Sequence, residues 1–429
     1  MNLDAVCSRL RAASERLALC TAAQKNRALL GVGTALDAAR DEILAANARD
    51  VQRARAGGMN ESMIARLELT NSGIDAILTA IGELVSQTDP IGEVISGWSV
   101  SNGMQIKQVR VPLGVAAVIY ESRPNVTVDA FALAYKSSNA VLLRGSSSAL
   151  DSNRAIVSAI KSGLSASGGE SEAVALSEPS SQGDRYGDVD WILKAVGKID
   201  VALPRGGAAL IKRVVETAQV PVIETGSGVC HIYVDESANL AMAVSIAENS
   251  KIQKPAACNS LECLLVHADR AADVLPALKT VFEKYEEKTG KPGGVEIRCD
   301  ERALAILGKA PNVLAATDDD WGYEYLDYIM CVRVVDSLDE AIDYINQHNT
   351  KHSDSIITES RTNARRFQQR IDSSCVYVNA SLRFTDGGEF GMGAELGIST
   401  QKLHARGPMG LSALTTIKYY IDGEGHVRT

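Results

Sequence analysis

Aromatic residues are scarce in this chain, 5% of 429 residues, and there is no basic excess: 44 Lys and Arg stand against 53 Asp and Glu, a net charge of −9. A mildly acidic chain with no basic tail argues against a general nucleic-acid binder. No apolar run approaches the roughly 18 to 20 residues that cross a membrane. The start, MNLDAVCSRLRAASERL, is amphipathic and charged throughout, without the apolar stretch of a secretory leader, so nothing points to export. Eight cysteines at irregular spacings make no disulfide framework, and reduced thiols in the cytoplasm are expected. His348 and His352 are four apart but sit at a helix end, so no metal site is expected. What remains is 45% hydrophobic and 23% charged, an ordinary globular composition long enough for two or three domains.

Residues 1 to about 90 read as successive helices. Leu10, Ala13, Leu17 and Leu19 recur near the 3.6 period, as do Leu29, Leu30, Leu36 and Ile43. Asn102-Gly103 lies between two β-prone runs, a strong hairpin signal. From residue 114 the pattern alternates strand with helix: Val115–Tyr120, Ala140–Leu143, Val201–Leu203 and Val220–Ile223 are strand candidates, with helices at Thr127–Ser137, Ser148–Leu164 and Ala208–Ala218 between them. Ser165–Asp188 has no periodicity and reads as a surface loop. The alternation resumes near 256 with Leu261–Val266, Val295–Ile297, Val313–Ala315, Ile329–Val335, Ser355–Ile357 and Val376–Val378. Parallel βαβ units and open α/β sheets follow. The terminal run Leu414–Ile421 needs a partner strand, and the hairpin near 100 is the candidate.

Several strand ends carry chemistry. Arg144, followed by Gly145-Ser146-Ser147-Ser148, ends a strand where a dinucleotide fold meets the adenosine ribose; a base there accommodates the 2′-phosphate of NADP, although a solvated Arg has the same appearance. Pro204-Arg205-Gly206-Gly207 either exposes backbone N–H groups to an anion or makes a tight strand-to-helix turn. Glu224, in Ile223-Glu224-Thr225-Gly226, is a base or a polar loop residue. Cys258, in Lys254-Pro255-Ala256-Ala257-Cys258-Asn259-Ser260, differs from the other cysteines by its loop and polar neighbours. Arg383, Lys402, His404 and Arg406 form a basic, glycine-rich stretch suited to an anionic substrate or to solvent.

In order, VPLGVAAVIYESRPNVTVDAFALAYKSSNAVLLRGSSSA, IETGSGVCHIYVD, KPAACNSLE and RFTDGGEFGMGAELGISTQKLHARGPMGL resemble the glutamate-5-semialdehyde dehydrogenase (gamma-glutamyl phosphate reductase) family, within the aldehyde dehydrogenase superfamily, over nearly the whole chain. The resemblance implies two open parallel α/β domains and a small β oligomerisation arm. Residues 1–95 and 112–255 would bind the cofactor, 256–380 would be catalytic, 96–111 and 408–429 would form the arm, and 381–407 would connect. It implies NADPH-dependent reduction of L-glutamate 5-phosphate to the semialdehyde and phosphate, a step of proline biosynthesis. Cys258 would be the nucleophile, Asn125 an oxyanion donor, and Glu224 the match to the superfamily's general base. Arg144, Gly145, Ser146, Ser147, Pro204, Gly206, Gly207, Thr225, Gly226 and Glu324 would meet NADP(H), with Glu324 on the nicotinamide ribose. Arg383, Lys402, His404 and Arg406 are the substrate-binding candidates. A homo-oligomer, functional coupling to glutamate 5-kinase and a cytoplasmic location are further expectations. Two alternatives stay open: a hydrolytic NAD-dependent aldehyde dehydrogenase using Glu224, and a cofactor-free thiol acyltransferase.

Overall fold

In the computed structural model, which describes residues 2–178 and 187–428, the chain divides into two units. The first comprises Met1–Thr225, Gly391–Gly397 and Pro408–Thr429; the second comprises Gly226–Phe390 and Ile398–Gly407.

The first unit opens with five helices: Leu3–Leu17, Ala22–Ala38, Arg40–Ala56, Glu61–Leu67 and Asn71–Ser86. Side-chain caps start four of them, at Asn2, Thr21, Asn60 and Thr70, and Thr21 forms a reciprocal box with Gln24. These caps satisfy N–H groups that the first helical turn leaves without partners. Leu10, Leu17, Leu29, Leu36 and Ile43 are buried as their spacing requires, but Leu19 and Leu30 face outward at 87% and 54% exposure. Leu19 lies in the turn beyond the helix end, outside its periodicity.

These helices cover a four-stranded parallel sheet in the order Val174–Leu176, Ala140–Arg144, Val115–Tyr120, Val201–Arg205. The register aligns Ile119 with both Arg144 and Pro204, so the strands end level with one another. Two sequence expectations need correction here. Within Ser165–Asp188, Val174–Leu176 is the edge strand of this sheet, too short to give an alternation signal; residues 179–186 lie outside the described residues. The run Val220–Ile223 contributes only a single bridge, from Val222 to Ala202.

An antiparallel sheet of the same unit joins Val94–Ser99, Gln105–Pro112 and Thr415–Asp422, with the middle strand shared. The terminal strand thus finds its partner in the hairpin of its own chain. Gly103 takes φ +97° at the tip, a left-handed conformation that the Asn-Gly turn supplies.

The second unit is a seven-stranded parallel sheet ordered Val313–Ala315, Glu296–Cys299, Ile329–Val335, Leu261–His267, Cys230–Val234, Ser353–Ile357, Cys375–Val378. Cys230–Val234 pairs with Leu261–His267 and Ser353–Ile357, so the boundary falls at 226 rather than near 256. This strand escapes sequence reading because it carries His231, which is fully buried against Asp354: its backbone N–H and its Nδ1 lie 2.9 and 3.2 Å from Asp354 Oδ1. Leu261–His267 is buried along its length, as a central parallel strand should be.

One close approach fixes the helical layer of the first unit. Helix Leu150–Ala166 packs on helix Ala22–Ala38, and a Cβ on Gly163 would sit 2.6 Å from Val32 Cα and 2.7 Å from the Gly31 carbonyl oxygen. Backbone, not a flexible side chain, fills that space. Gly163→Ala therefore loses stability despite the higher helix propensity of Ala, by about 1–3 kcal/mol from overpacking. Urea unfolding followed by circular dichroism reads the change.

Candidate functional site

Cys258 sits on the turn between helix Leu240–Ile252 and the central strand Leu261–His267. The turn closes on itself through Ala257 N to Lys254 O and Ser260 N to Ala257 O. Asn259, 3% exposed, anchors it by donating from Nδ2 to Thr385 O at 2.9 Å. All eight cysteines are free, and only Cys20 and Cys258 are half-exposed. Burial pushes the Cys299 and Cys331 thiols up to about 12, and Cys230 and Cys263 far above their ordinary value. Those four remain protonated, and a thiol is a poor nucleophile beside a thiolate.

Arg383 belongs to the same corner. Its Nε donates to Gln253 Oε1 at 2.8 Å. Burial lowers its pKa, and a favourable interaction with Cys258 opposes that shift.

Residues 224–230 carry the second group of candidates. Glu224 follows buried Ile223 and is half-buried. Thr225 Oγ1 donates to Pro204 O at 3.2 Å. Gly226 donates to Ile398 O, and a Cβ there would strike Thr400. Glu324 Oε1 accepts the Gly228 N–H at 2.7 Å. Burial raises the Glu324 carboxyl and the Gly228 N–H pulls it back. Gly228, Glu262 and Thr350 complete this corner; Gly228 lies in the Gly-rich turn after Glu224, and neither Glu262 nor Thr350 is a site candidate in the sequence.

In the first unit, Arg144 departs from its expected setting. It is 7% exposed, and its guanidinium holds Asp188 in a two-pronged pair, Nε to Oδ2 at 2.8 Å and Nη2 to Oδ1 at 3.0 Å. It also donates to the Gly145 carbonyl. The fork is turned inward, so Arg144 is neither a solvated loop residue nor a charge presented at the surface. Next to it, Ser146 caps the short turn Ser147–Ala149, and the Ser146, Ser148 and Ser122 hydroxyls lie in sequence at 2.8 and 2.7 Å. Beyond the central strand Val115–Tyr120, at the end of strand Val201–Arg205, Gly206 and Gly207 precede helix Ala208–Thr217. The Gly207 N–H donates to Glu121 Oε2 at 2.9 Å, and a Cβ on Gly206 would collide with that side chain. Hydroxyls and a side-chain-free turn at level strand ends fit a dinucleotide; a phosphate at the Gly207 N–H and the Glu121 carboxylate exclude one another.

Asn125 lies in the first turn of helix Pro124–Lys136 and is exposed. Its Nδ2 donates to Asp129 Oδ2 at 3.2 Å, one helical turn on, leaving its second amide hydrogen outside that bond.

The remaining basic candidates lie elsewhere in the second unit. Lys402 and Arg406 both bind Asp372, at 2.9 and 2.8 Å, and hold its carboxyl at about 2. His404 stands between them at φ +66°. The basic stretch therefore separates into Arg383 beside Cys258 and a Lys402–Asp372–Arg406 ion-pair cluster. Among the described residues, one group has metal-like spacing, Glu236, His267 and Asp269. There His267 Nδ1 accepts the Asp269 N–H as a helix cap.

Comparison with known proteins agrees with this architecture. Residues 323–418 match the aldehyde dehydrogenase family. The gamma-glutamyl phosphate reductase of Treponema pallidum (strain Nichols) is 58% identical over 426 residues, 99% of each sequence. The chain belongs to the gamma-glutamyl phosphate reductase family. The crystal structure of that reductase from Thermotoga maritima is similar over 100% of both chains, with TM-score 0.93 and 45% identity. An acetylating aldehyde dehydrogenase from Geobacillus thermoglucosidasius shares the fold at TM-score 0.68 and 16% identity, over 99% and 97% of the two chains. Membership of this oxidoreductase family favours neither the hydrolytic dehydrogenase nor the cofactor-free acyltransferase. No helix among the described residues is long and apolar enough to cross a membrane.

Burial pushes the Asp129 carboxyl up to about 6 from its ordinary 3.8, against the pull of Asn125 and Arg205. Between those values the folded protein holds a proton that the unfolded chain has lost. The contribution of Asp129 to stability therefore falls as pH rises through this window. Asp129→Asn removes that fall, which urea midpoints measured at about pH 4.5 and about pH 6.5 will show as a smaller difference than in the wild type.

Proposed function

We propose that this chain reduces L-glutamate 5-phosphate to L-glutamate 5-semialdehyde and phosphate, with NADPH as reductant and Cys258 as nucleophile. The observation that carries the reading is the half-exposed Cys258 thiol on an anchored turn, electrostatically coupled to Arg383.

The Cys258 thiolate attacks the acyl phosphate carbonyl. The C–O bond to phosphate breaks, phosphate leaves and a thioester forms. The second amide hydrogen of Asn125 and backbone N–H groups near Cys258 steady the negative oxygen; one such donor is typically worth about 3 kcal/mol. A bound nicotinamide supplies hydride for the thioester carbonyl. The tetrahedral oxyanion so formed regenerates its C=O bond, the C–S bond breaks, and Cys258 leaves as thiolate with the aldehyde released. Arg383 stabilises the thiolate at both ends of this cycle and attracts the substrate's anionic groups. Lys402 and Arg406 reach the substrate only by leaving Asp372, and His404 completes that proposed set. Glu224 matches the general base of hydrolytic relatives, but a base that activated water here would destroy the thioester, so we assign it no proton transfer.

Ser146, Ser147 and Gly145 suit the adenosine end of the cofactor, with Arg144 acting from behind. Its pairing with Asp188 neutralises an acid that would otherwise favour a free 2′-hydroxyl, which supports the choice of NADPH over NADH. Pro204, Gly206 and Gly207 line the pyrophosphate region once Glu121 yields the Gly207 N–H, and Thr225, Gly226 and Glu324 face the nicotinamide end. Free thiols and the expected cytoplasmic setting belong to the same reading, as does functional coupling to glutamate 5-kinase, which would deliver an unstable acyl phosphate; dependence of the combined flux on added kinase, beyond its rate of supply, tests this.

The three-stranded sheet supports a homo-oligomer. It exposes Val94, Ile95, Trp98, Ile417, Tyr419, Tyr420 and Ile421, with Trp98 and Tyr419 edge to face at 6.3 Å. Tyr419→Glu shifts the protein to a smaller species in light scattering; an unchanged mass refutes the arm.

Cys258→Ala abolishes turnover while NADPH still quenches or shifts fluorescence with wild-type affinity. Residual activity near wild type overturns the nucleophile. In the reverse direction, semialdehyde oxidation requires phosphate; activity in phosphate-free buffer would restore the hydrolytic reading.

A further inference from the structure

The Cys258 turn is seated by an unusual contact with the segment that leads into strand Cys230–Val234. A Cβ on Gly228 would land on the carbonyl oxygen of Cys258, so the Gly228 backbone lies directly against the nucleophile's own main chain. Two residues further, Cys230 donates from Sγ to that same oxygen at 3.2 Å. Cys230 is buried and its thiol is held protonated, as a donor must be. The placement of Cys258 is therefore set by the placement of residues 227–230.

Two side chains hold that segment from outside. Glu324 Oε1 accepts the Gly228 N–H at 2.7 Å. Thr350 Oγ1 accepts the Val229 N–H at 3.0 Å and donates to Ser227 O at 2.6 Å. Glu324 is itself fixed in a constrained stretch: the Tyr325 N–H donates to the buried Glu262, and Leu326 takes φ +53°, a strained value for Leu. A carboxylate has two oxygens. One is committed to Gly228, and the other is outside that bond.

We propose that Glu324 is a positioning residue for the nucleophile: by holding Gly228 it seats the main chain of Cys258 and keeps the sulfur beside Arg383. This rests on Cys258 being the reactive thiol, and it gives Glu324 a role in the protein before any cofactor arrives. Thr350 is the second tie of the same segment.

The test labels the full-length, cofactor-free protein with iodoacetamide and follows Cys258 by residue-resolved mass spectrometry. Glu324→Ala slows alkylation of Cys258 at least fivefold, because the loosened turn withdraws the sulfur from Arg383. Glu324→Gln keeps a carbonyl oxygen for the Gly228 N–H and stays within twofold of wild type. Thr350→Val reproduces the slowing with Glu324 intact, and decides the matter if Glu324→Ala does not fold. A wild-type rate in Glu324→Ala, an equal change in the Ala and Gln variants, or a wild-type rate in Thr350→Val when that variant decides, overturns the tie. Wild-type protein in which Cys258 labels no faster than Cys20 removes the nucleophile reading and the tie together, whereas selective labelling indifferent to Glu324 removes only the tie.

Discussion

The seating of one carbonyl oxygen organises the second unit. The Cys258 oxygen rests against the Gly228 backbone and the Cys230 thiol, while the following residue, Asn259, reaches to Thr385. The Cys258 turn is therefore held at two successive residues by groups from different parts of the sequence. Both contacts are made through main-chain or neighbouring atoms, and Cys258 as a residue stays half-exposed. Catalytic geometry of this kind depends on fixing the main chain so that the side chain alone remains to be oriented. It also explains why position 228 must lack a side chain on grounds of space.

The same sheet tolerates a costly set of buried charges. Lys251 and Glu262 pair at 3.1 Å with both side chains fully buried, and burial pushes the Glu262 carboxyl up to about 7. His231 and Asp354 pair nearby, with Ser373 and Asn349 also bound to Asp354. Burying an ion pair seldom adds net stability, but removing one partner leaves an uncompensated charge and costs several kcal/mol. Lys251 ends the helix before the Cys258 turn and Glu262 lies in the strand after it. The pair thus joins the two ends of the turn, where a register error would strand both charges. In the first unit, Arg144 at a strand end and Asp188 in helix Gly187–Leu193 impose a similar penalty on any misplacement of the two elements they join.

Legibility in the sequence followed the strength of local signals. The N-terminal helices announced themselves through caps such as Thr21 with Gln24 and through periodic leucines. The hairpin was readable because Asn102-Gly103 demands a left-handed tip. Strand Cys230–Val234 was not, since a buried His paired to Asp354 breaks the apolar run that marks a central strand. Of the candidate site, Cys258 stood out by its polar loop, and Arg383 by its charge. Arg144 was noticed for the right place and the wrong exposure, because its partner Asp188 lies 44 residues on. Glu121 and Gly228 lie in segments the sequence marks, yet their contacts, like those of Asp129, are made only by the fold.

The antiparallel sheet carries a consequence for biogenesis. Gln108 and Tyr419, bonded across it, are 311 residues apart in the chain, and Asn139 of the first unit donates to the Leu414 carbonyl. A polypeptide that has not yet added residues 414–422 presents a hairpin with an unsatisfied edge and an Asn139 amide held only by Ser137. Completion of that sheet thus waits until residues 415–422 have been added to the chain.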